Sequence, residues 1–340
     1  MTGGDAERRE MLRLLVGPWI GKAVAAAAEL GIADGLADGP RTGAELAAGL
    51  RVRQQPLERL LRLLAAVGLV DDDAGRFRLT ATGELLSASH PASMREQALL
   101  YDSHYFREAW DRLADGVRTG EQPFVSAFGE DVFSFIAARP EEALRFSSGM
   151  AAGAGYAEAL ASAFDFSGVS KVADVGGGDG AVLEAVLSRH EHVIGVLVDL
   201  PASMEPARER LLPFIAEGRC SVVEGDFLER VPAADVHILS RILHNWDDDS
   251  ARRILANCRA AMPAGDGRVL IAERVLPDSG HPWLSLAFDL HMMVMTGGAE
   301  RTGSRYEAIL EQAGLRTVGE SEMPLEMRLL EAAPVSGRNP

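Results

Sequence analysis

Cysteine is almost missing from this 340-residue chain, with Cys220 and Cys258 the only two. Two thiols cannot build a disulfide framework, and neither stands at metal-ligand spacing from a His or another Cys. Both are expected as buried, reduced residues. Lysine is as scarce, at Lys22 and Lys171 alone, and the basic total of 34 faces 50 acids, for a net charge of −16. That excess argues against nucleic acid or an anionic membrane as a partner. No apolar run is long enough to span a bilayer, and the first residues, MTGGDAERREM, carry no signal-peptide pattern. A cytoplasmic chain is expected. A hydrophobic content of 47% with 25% charged residues is that of a globular protein, and the length suggests two domains.

What is present is concentrated between Lys171 and Asp199. KVADV, GGGDG, AVLEAVLSRH and VIGVLVD read in order as strand, glycine turn, helix and strand. Such a unit holds a nucleoside. Gly176, Gly178 and Gly180 let the main chain approach a ligand where a Cβ would collide, and the helix N-terminus behind them offers free N–H groups. Asp199, closing the second strand, is placed to accept hydrogen bonds from two ribose hydroxyls. The cluster alone fits NAD as well as S-adenosylmethionine (SAM), since Gly176-x-Gly178-x-x-Ala181 satisfies the dinucleotide pattern in its Gly/Ala form.

Later segments decide between them. VVEGDF ends a strand at Asp226, which can accept from an adenine amino group, and Phe227, which can cover the ring. VHILSRILHNWDDD then breaks from a strand into a helix with a polar cluster. Taken together, DVGGGDG at 174–180, VDLP at 198–201, EGDF at 224–227, LHNW at 243–246 and GGAERT at 297–302 resemble the motif series of SAM-dependent O-methyltransferases of the plant-phenolic and bacterial secondary-metabolite type. The resemblance implies a Rossmann-like α/β sheet, mostly parallel with an antiparallel edge, and SAM as cofactor with S-adenosylhomocysteine as product. It places Leu200, Ser240 and Arg241 at the cofactor edge. Ser240 stands where plant members carry a cofactor-contacting Lys.

The residues themselves place strands near 171–175, 193–199, 219–224, 235–240 and 268–274, with an antiparallel pair in LRTVGESEMPLEMRLLEAAPV. Upstream, residues 10–90 read as short helices and a hairpin. Thr42 precedes Glu45 by three, as in a capping box, a Leu-rich helix covers 54–67, and LVDDDAGRFRLTATG reads as a wing. This winged-helix outline is balanced in charge, with 12 acids against 11 bases over residues 1–90. Its would-be reading helix spends Leu57, Leu60, Leu61, Leu63 and Leu64 on core or interface positions rather than on base contacts. A protein-interaction domain is expected, and the resemblance implies a homodimer that shares this domain with the partner's pocket. The expected boundaries are 1–95 for dimerisation, 96–165 for a helical linker and pocket region, and 166–340 for the cofactor domain.

Methyl transfer to a hydroxyl needs alignment and a base. His244 lies just after the fourth motif strand, at the edge where open α/β sheets bind ligands, and a histidine accepts a proton near neutral pH. Glu273 and Glu300, from separate segments ending on the same side, are expected to orient it; the resemblance gives all three catalytic roles. Asn245 replaces the family's Asp. If that Asp raises the histidine's pKa, His244 is expected to be less basic. His291 competes for the base role, but its neighbours Met292, Met293 and Met295 suggest a substrate-lining helix. Phe146 and Met150, four apart, are core residues or, by the resemblance, lie over the substrate. No metal-ligand cluster is evident, and no metal is expected. The leading expectation is an O-methyltransferase of a small, largely apolar hydroxylated aromatic, of the kind found in antibiotic biosynthesis. The alternatives are non-methylating hydroxylase or pericyclase chemistry on the same scaffold, C- or N-methylation, a SAM-sensing regulator, and an NAD oxidoreductase.

Overall fold

The computed structural model describes residues 3–151, 155–263 and 267–335. The chain divides into two compact units, residues 1–107 with 148–153 and residues 108–147 with 154–340. The segment 96–165, expected as a region of its own, is shared between them, because the helix Pro140–Ala151 leaves the second unit and ends in the first.

In the first unit the capping box forms. The Glu45 carboxylate accepts from Thr42 N at 2.7 Å, and Glu45 N donates to Thr42 Oγ1 at 3.2 Å. The Leu-rich helix Gln54–Ala66 buries Leu57, Leu61 and Leu64, one stripe at helical spacing, and leaves Leu63 exposed. The wing strands β2 (Val70–Asp73) and β3 (Arg76–Leu79) turn through Ala74 and Gly75, both at positive φ, and β1 (Arg41–Thr42) adds a short third strand beside β3. The helices Gly3–Leu15 and Gly17–Glu29 carry a row of exposed apolar side chains: Met11, Leu12, Leu14, Leu15 and Trp19. Among the described residues no single helix is long and apolar enough to cross a membrane.

The second unit is built on one twisted sheet. Its strands are β4 (Lys171–Val175), β5 (Ile194–Asp199), β6 (Cys220–Glu224), β7 (Val236–Ser240), β8 (Arg268–Leu276), β9 (Arg301–Thr302), β10 (Leu315–Met323) and β11 (Met327–Pro334). The order is β10-β11-β8-β7-β4-β5-β6. β6 to β8 are mutually parallel, and β11 runs antiparallel to both neighbours. The parallel strands β4, β5, β7 and β8 are buried on both faces, as their apolar runs require, while the edge strand β6 is mostly exposed. Val172 and Leu197 pack into the core on one face, Ala173 and Val196 into the core on the other. The order reverses between β4 and β7, so the crevice at their C-terminal ends is the place for a ligand.

One strand differs from its expected length in a way that matters. β8 does not stop near Glu273; it runs on to Leu276. The extension pairs Val275 with Arg301 and Leu276 with Thr302 in β9. This parallel pairing delivers Glu300, one residue earlier, to the side of Glu273.

Candidate active site

The glycine turn follows β4 directly. Gly176, Gly178 and Gly180 all have positive φ. A Cβ on Gly176 would meet Ile242 Cδ1 at 2.5 Å and Phe227 Cε1 at 3.3 Å, so the backbone is cradled between two apolar side chains at the ligand edge. Gly178 faces open space, and its N–H donates to Asp199 Oδ2 at 2.8 Å. Gly180 is needed for another reason than ligand approach, since a Cβ there would strike Leu211 Cδ1 in the core at 2.8 Å. Asp199 Oδ1 accepts from Leu200 N at 2.6 Å, and Leu200 lies exposed beside it. Burial raises the Asp199 pKa, against its backbone hydrogen bonds. Beneath the turn, the buried Asp174 is pushed up to about 7 by burial, then by Asp199 and Asp179. Arg210, which no motif marks, clamps Asp179 and Glu184 of the turn and its helix at 2.7 Å each.

At the neighbouring strand ends, Ser240 Oγ is buried without a hydrogen-bond partner. Arg241 adopts a left-handed backbone (φ 57°) and donates to Tyr156 Oη at 2.7 Å. Asp226 is exposed, with Oδ1 accepting from Leu228 N, and Phe227 packs edge-on against Trp246. The glycine cradle, the Asp199 carboxylate at the end of β5, the exposed Leu200 and the orphaned Ser240 hydroxyl together fit a nucleoside such as that of SAM.

His244 sits in the short 3-10 turn Leu243–Asn245, after β7. It is 6% exposed, Glu273 0% and Glu300 4%. The His244 Nδ1–H points to Glu300 Oε1 at 3.0 Å, and Glu273 Oε2 lies 3.3 Å from the same nitrogen. Glu273 Oε1 is taken by the backbone N–H groups of Leu243 (2.8 Å) and His244 (3.4 Å). One glutamate therefore holds the turn and the other holds the ring. Burial pulls the His244 pKa down, but the two carboxylates outweigh it and the net shift is upward from 6.5. Burial raises the Glu273 carboxyl, against the neighbouring imidazole. The expectation of a less basic histidine from Asn245 thus meets an opposing influence in the two glutamates. Asn245 itself turns inward, donating from Nδ2 to Arg241 O at 3.1 Å.

The ligand-type atoms of the three residues lie within 4.8 Å of one another, close enough to be considered for a metal ion. No spacing in the sequence marks such a cluster; the fold assembles it from residues 29 and 56 positions from His244. The hydrogen-bonded Nδ1 and the turn-holding Glu273 Oε1 suit a proton relay better than a ligand set.

The loop 296–301 holds residues whose roles the sequence did not disclose. A Cβ on Gly298 would lie 1.9 Å from His244 O, and Ala299 N donates to that same oxygen at 2.9 Å. Arg301, 2% exposed, donates to Leu243 O at 2.7 Å, Trp246 O at 2.5 Å and Asp248 Oδ1 at 2.9 Å, pinning the turn that carries His244. Both residues lie within GGAERT, so the motif was the available signal.

His291 lies on the helix Trp283–Met295, half-buried, and its Nδ1 accepts from Trp110 Nε1 at 3.1 Å. Burial, then the His244 charge, lowers its pKa to about 4. Its shift is downward where that of His244 is upward, which disfavours it for the base role. Met292 and Met295, expected along the substrate, are buried at 7% and 3% exposure. Phe146 and Met150 are half-buried on Pro140–Ala151, in the second and first units respectively. The structure brings His244, Glu273, Glu300, Arg241 and Asn245 together.

A family model of the O-methyltransferase domain matches residues 110–316, and one of the O-methyltransferase dimerisation domain matches residues 12–89. The chain is 37% identical over 331 residues to the phenazine O-methyltransferase PhzM of Lysobacter antibioticus, covering 96% of each. It is 36% identical to the aclacinomycin 10-hydroxylase RdmB of Streptomyces purpurascens, over 92% of this chain and 87% of that protein. The solved structure of CalO1, a methyltransferase in calicheamicin biosynthesis in its SAH-bound form, matches with a TM-score of 0.86 at 36% identity, covering 98% of this chain and 99% of that one.

Proposed function

We propose a mechanism from the premise that this chain belongs to the O-methyltransferase family. It is a SAM-dependent O-methyltransferase, and the acceptor in this reading is a hydroxyl on a small, largely apolar aromatic of secondary metabolism. When bound, SAM supplies an electrophilic methyl group. The glycine turn, Asp199, Leu200, Asp226, Phe227 and Ser240 hold the nucleoside, with Arg241 at the same edge. A phenol with a pKa of about 10 keeps its proton at neutral pH, so the chain must remove it.

His244 does so through Nε2. The observation that carries this reading is the hydrogen bond from Nδ1–H to Glu300, which fixes the tautomer and leaves the Nε2 lone pair for the substrate. As Nε2 takes the hydroxyl proton the ring becomes a cation, and Glu273 and Glu300 stabilise it within a buried site. Burial of the relay keeps bulk water from exchanging that proton. Residues 12–89, with Met11 to Leu15 and Trp19 exposed on the first helices, support pairing of two copies through the N-terminal unit.

The test is product formed per SAM consumed, for wild type and His244→Ala. The expected wild-type ratio is one. His244→Ala is expected to bind SAM normally and lose about 10²–10⁴-fold in turnover. Substrate conversion with SAM left intact would instead give the chain a hydroxylase-like chemistry, as the name of its RdmB relative records. Dialysis against a chelator is expected to leave turnover unchanged; a loss restored by one divalent cation would reassign the three residues as metal ligands.

A further inference from the structure

The backbone N–H groups of the loop that carries Glu300 are each accounted for. Thr296 N and Gly297 N donate to Met292 O, Gly298 N to Thr296 Oγ1, and Ala299 N to His244 O. Glu300 N donates to Asp289 Oδ1 at 3.0 Å. Among these five, only Glu300 is held by a carboxylate. That carboxylate comes from the middle of the helix Trp283–Met295, two residues before His291. The same helix is moored at its start by Glu326, which accepts from Ser285 N and Oγ, and at its end by Gln122, which donates to Met295 O.

From this geometry we infer that Asp289 is a positioning residue for proton transfer. By accepting the Glu300 N–H it sets where the Glu300 side chain starts, and so how its carboxylate meets His244 Nδ1. The inference rests on the reading of His244 as the base. Asp289 touches neither the imidazole nor any reacting atom; it acts through Glu300. The placement of the helix that also carries His291 is in this way tied to the acid that orients the base. Asp289 is half-buried, and burial raises its carboxyl, against the hydrogen bond from the Glu300 N–H. An amide in its place keeps an accepting oxygen.

The experiment is a double-mutant cycle on the full chain, with kcat, KM, SAM affinity and the pH dependence of kcat/KM measured for each variant. Asp289→Ala is expected to lower kcat about 10- to 100-fold, less than loss of the base itself, with SAM affinity within about twofold. The acid limb should move to lower pH, because His244 loses one of the two carboxylates that raise its pKa. Asp289→Asn should recover most of kcat and keep the wild-type limb. In a Glu300→Ala background, Asp289→Ala should add nothing. Additive losses, a loss confined to KM, an unmoved acid limb, or an Asp289→Asn as impaired as Asp289→Ala would each overturn the inference. If Asp289→Ala does not fold, Asp289→Ser enters the same cycle, since its shorter side chain withdraws the acceptor. A fully active His244→Ala would instead remove the underlying reading, leaving the two failures distinguishable.

Discussion

Replacing Gly298 by alanine adds one methyl group, and the structure says where it goes. The new Cβ would stand 1.9 Å from His244 O, 2.8 Å from Asn245 C and 2.9 Å from His244 C, all backbone atoms with no flexible end to swing aside. Reaching even 3.0 Å from the oxygen requires the loop and the turn to part by about 1.1 Å. That movement strains the hydrogen bond from Ala299 N to His244 O, now 2.9 Å, and displaces Glu300, the next residue, from His244 Nδ1. Overpacking of this kind costs about 1–3 kcal/mol, and a buried hydrogen bond left unmade adds about 1–3 kcal/mol. A misplacement of about 1 Å in a catalytic array lowers turnover by roughly 10²-fold. The expected result is therefore a melting temperature lower by several degrees, SAM affinity close to wild type, and kcat reduced about 10²-fold. Gly303→Ala is the control, because its Cβ would find no atom nearer than Val275 Cγ1 at 4.0 Å. Calorimetry and initial rates on both variants decide the matter. A Gly298→Ala protein with wild-type kcat would refute the argument that the loop and turn are in rigid contact.

Two further predictions concern the same turn. His244 must be neutral to accept a proton, and its pKa is raised, so kcat/KM should climb with pH along an acid limb centred above 6.5. The stability contribution has the opposite sense: protonation favours the fold fully below the unfolded pKa and is lost as pH rises through the folded one. Activity should thus rise where stability falls, and a limb at or below 6.5 would contradict the proposed role of the two glutamates. Arg301→Ala should lower stability by roughly 2–4 kcal/mol, since two backbone carbonyls lose a buried charged donor. Arg301→Lys should fall between, lacking the fork that spans both; equal melting points for Arg301→Ala and wild type would refute this.

The glycine turn, the alternation of strand and helix and the capping box were legible because their causes are local. A positive φ at Gly176 or a side chain three residues from its backbone partner is written within a few positions. The triad was legible by resemblance, and its three residues do converge. What the sequence did not disclose arises from pairings across the fold. The length of β8 depends on β9, 25 positions further on, so Glu273 reads as a strand end when it is interior. Gly298 and Arg301 were visible as letters of a motif, but their partners are main-chain atoms of residues 243–246, which no periodicity reveals. Met292 and Met295 carry the same difficulty: a helical stripe has one spacing whether it faces a ligand or the protein's own core.

The strand β11 fills the place between β8 and β10, so one of the two neighbours of the strand that carries Glu273 is made after everything else in the sheet. Glu273 lies opposite Arg328 in that pairing. During synthesis, β8 leaves the ribosome some fifty residues ahead of its partner and presents an open apolar edge meanwhile. The glutamate that secures the histidine turn thus sits on a strand left incomplete while those fifty or so residues are made. Nascent chains stalled before Met327 should hold the glycine turn and the base in sequence, yet remain dependent on chaperones.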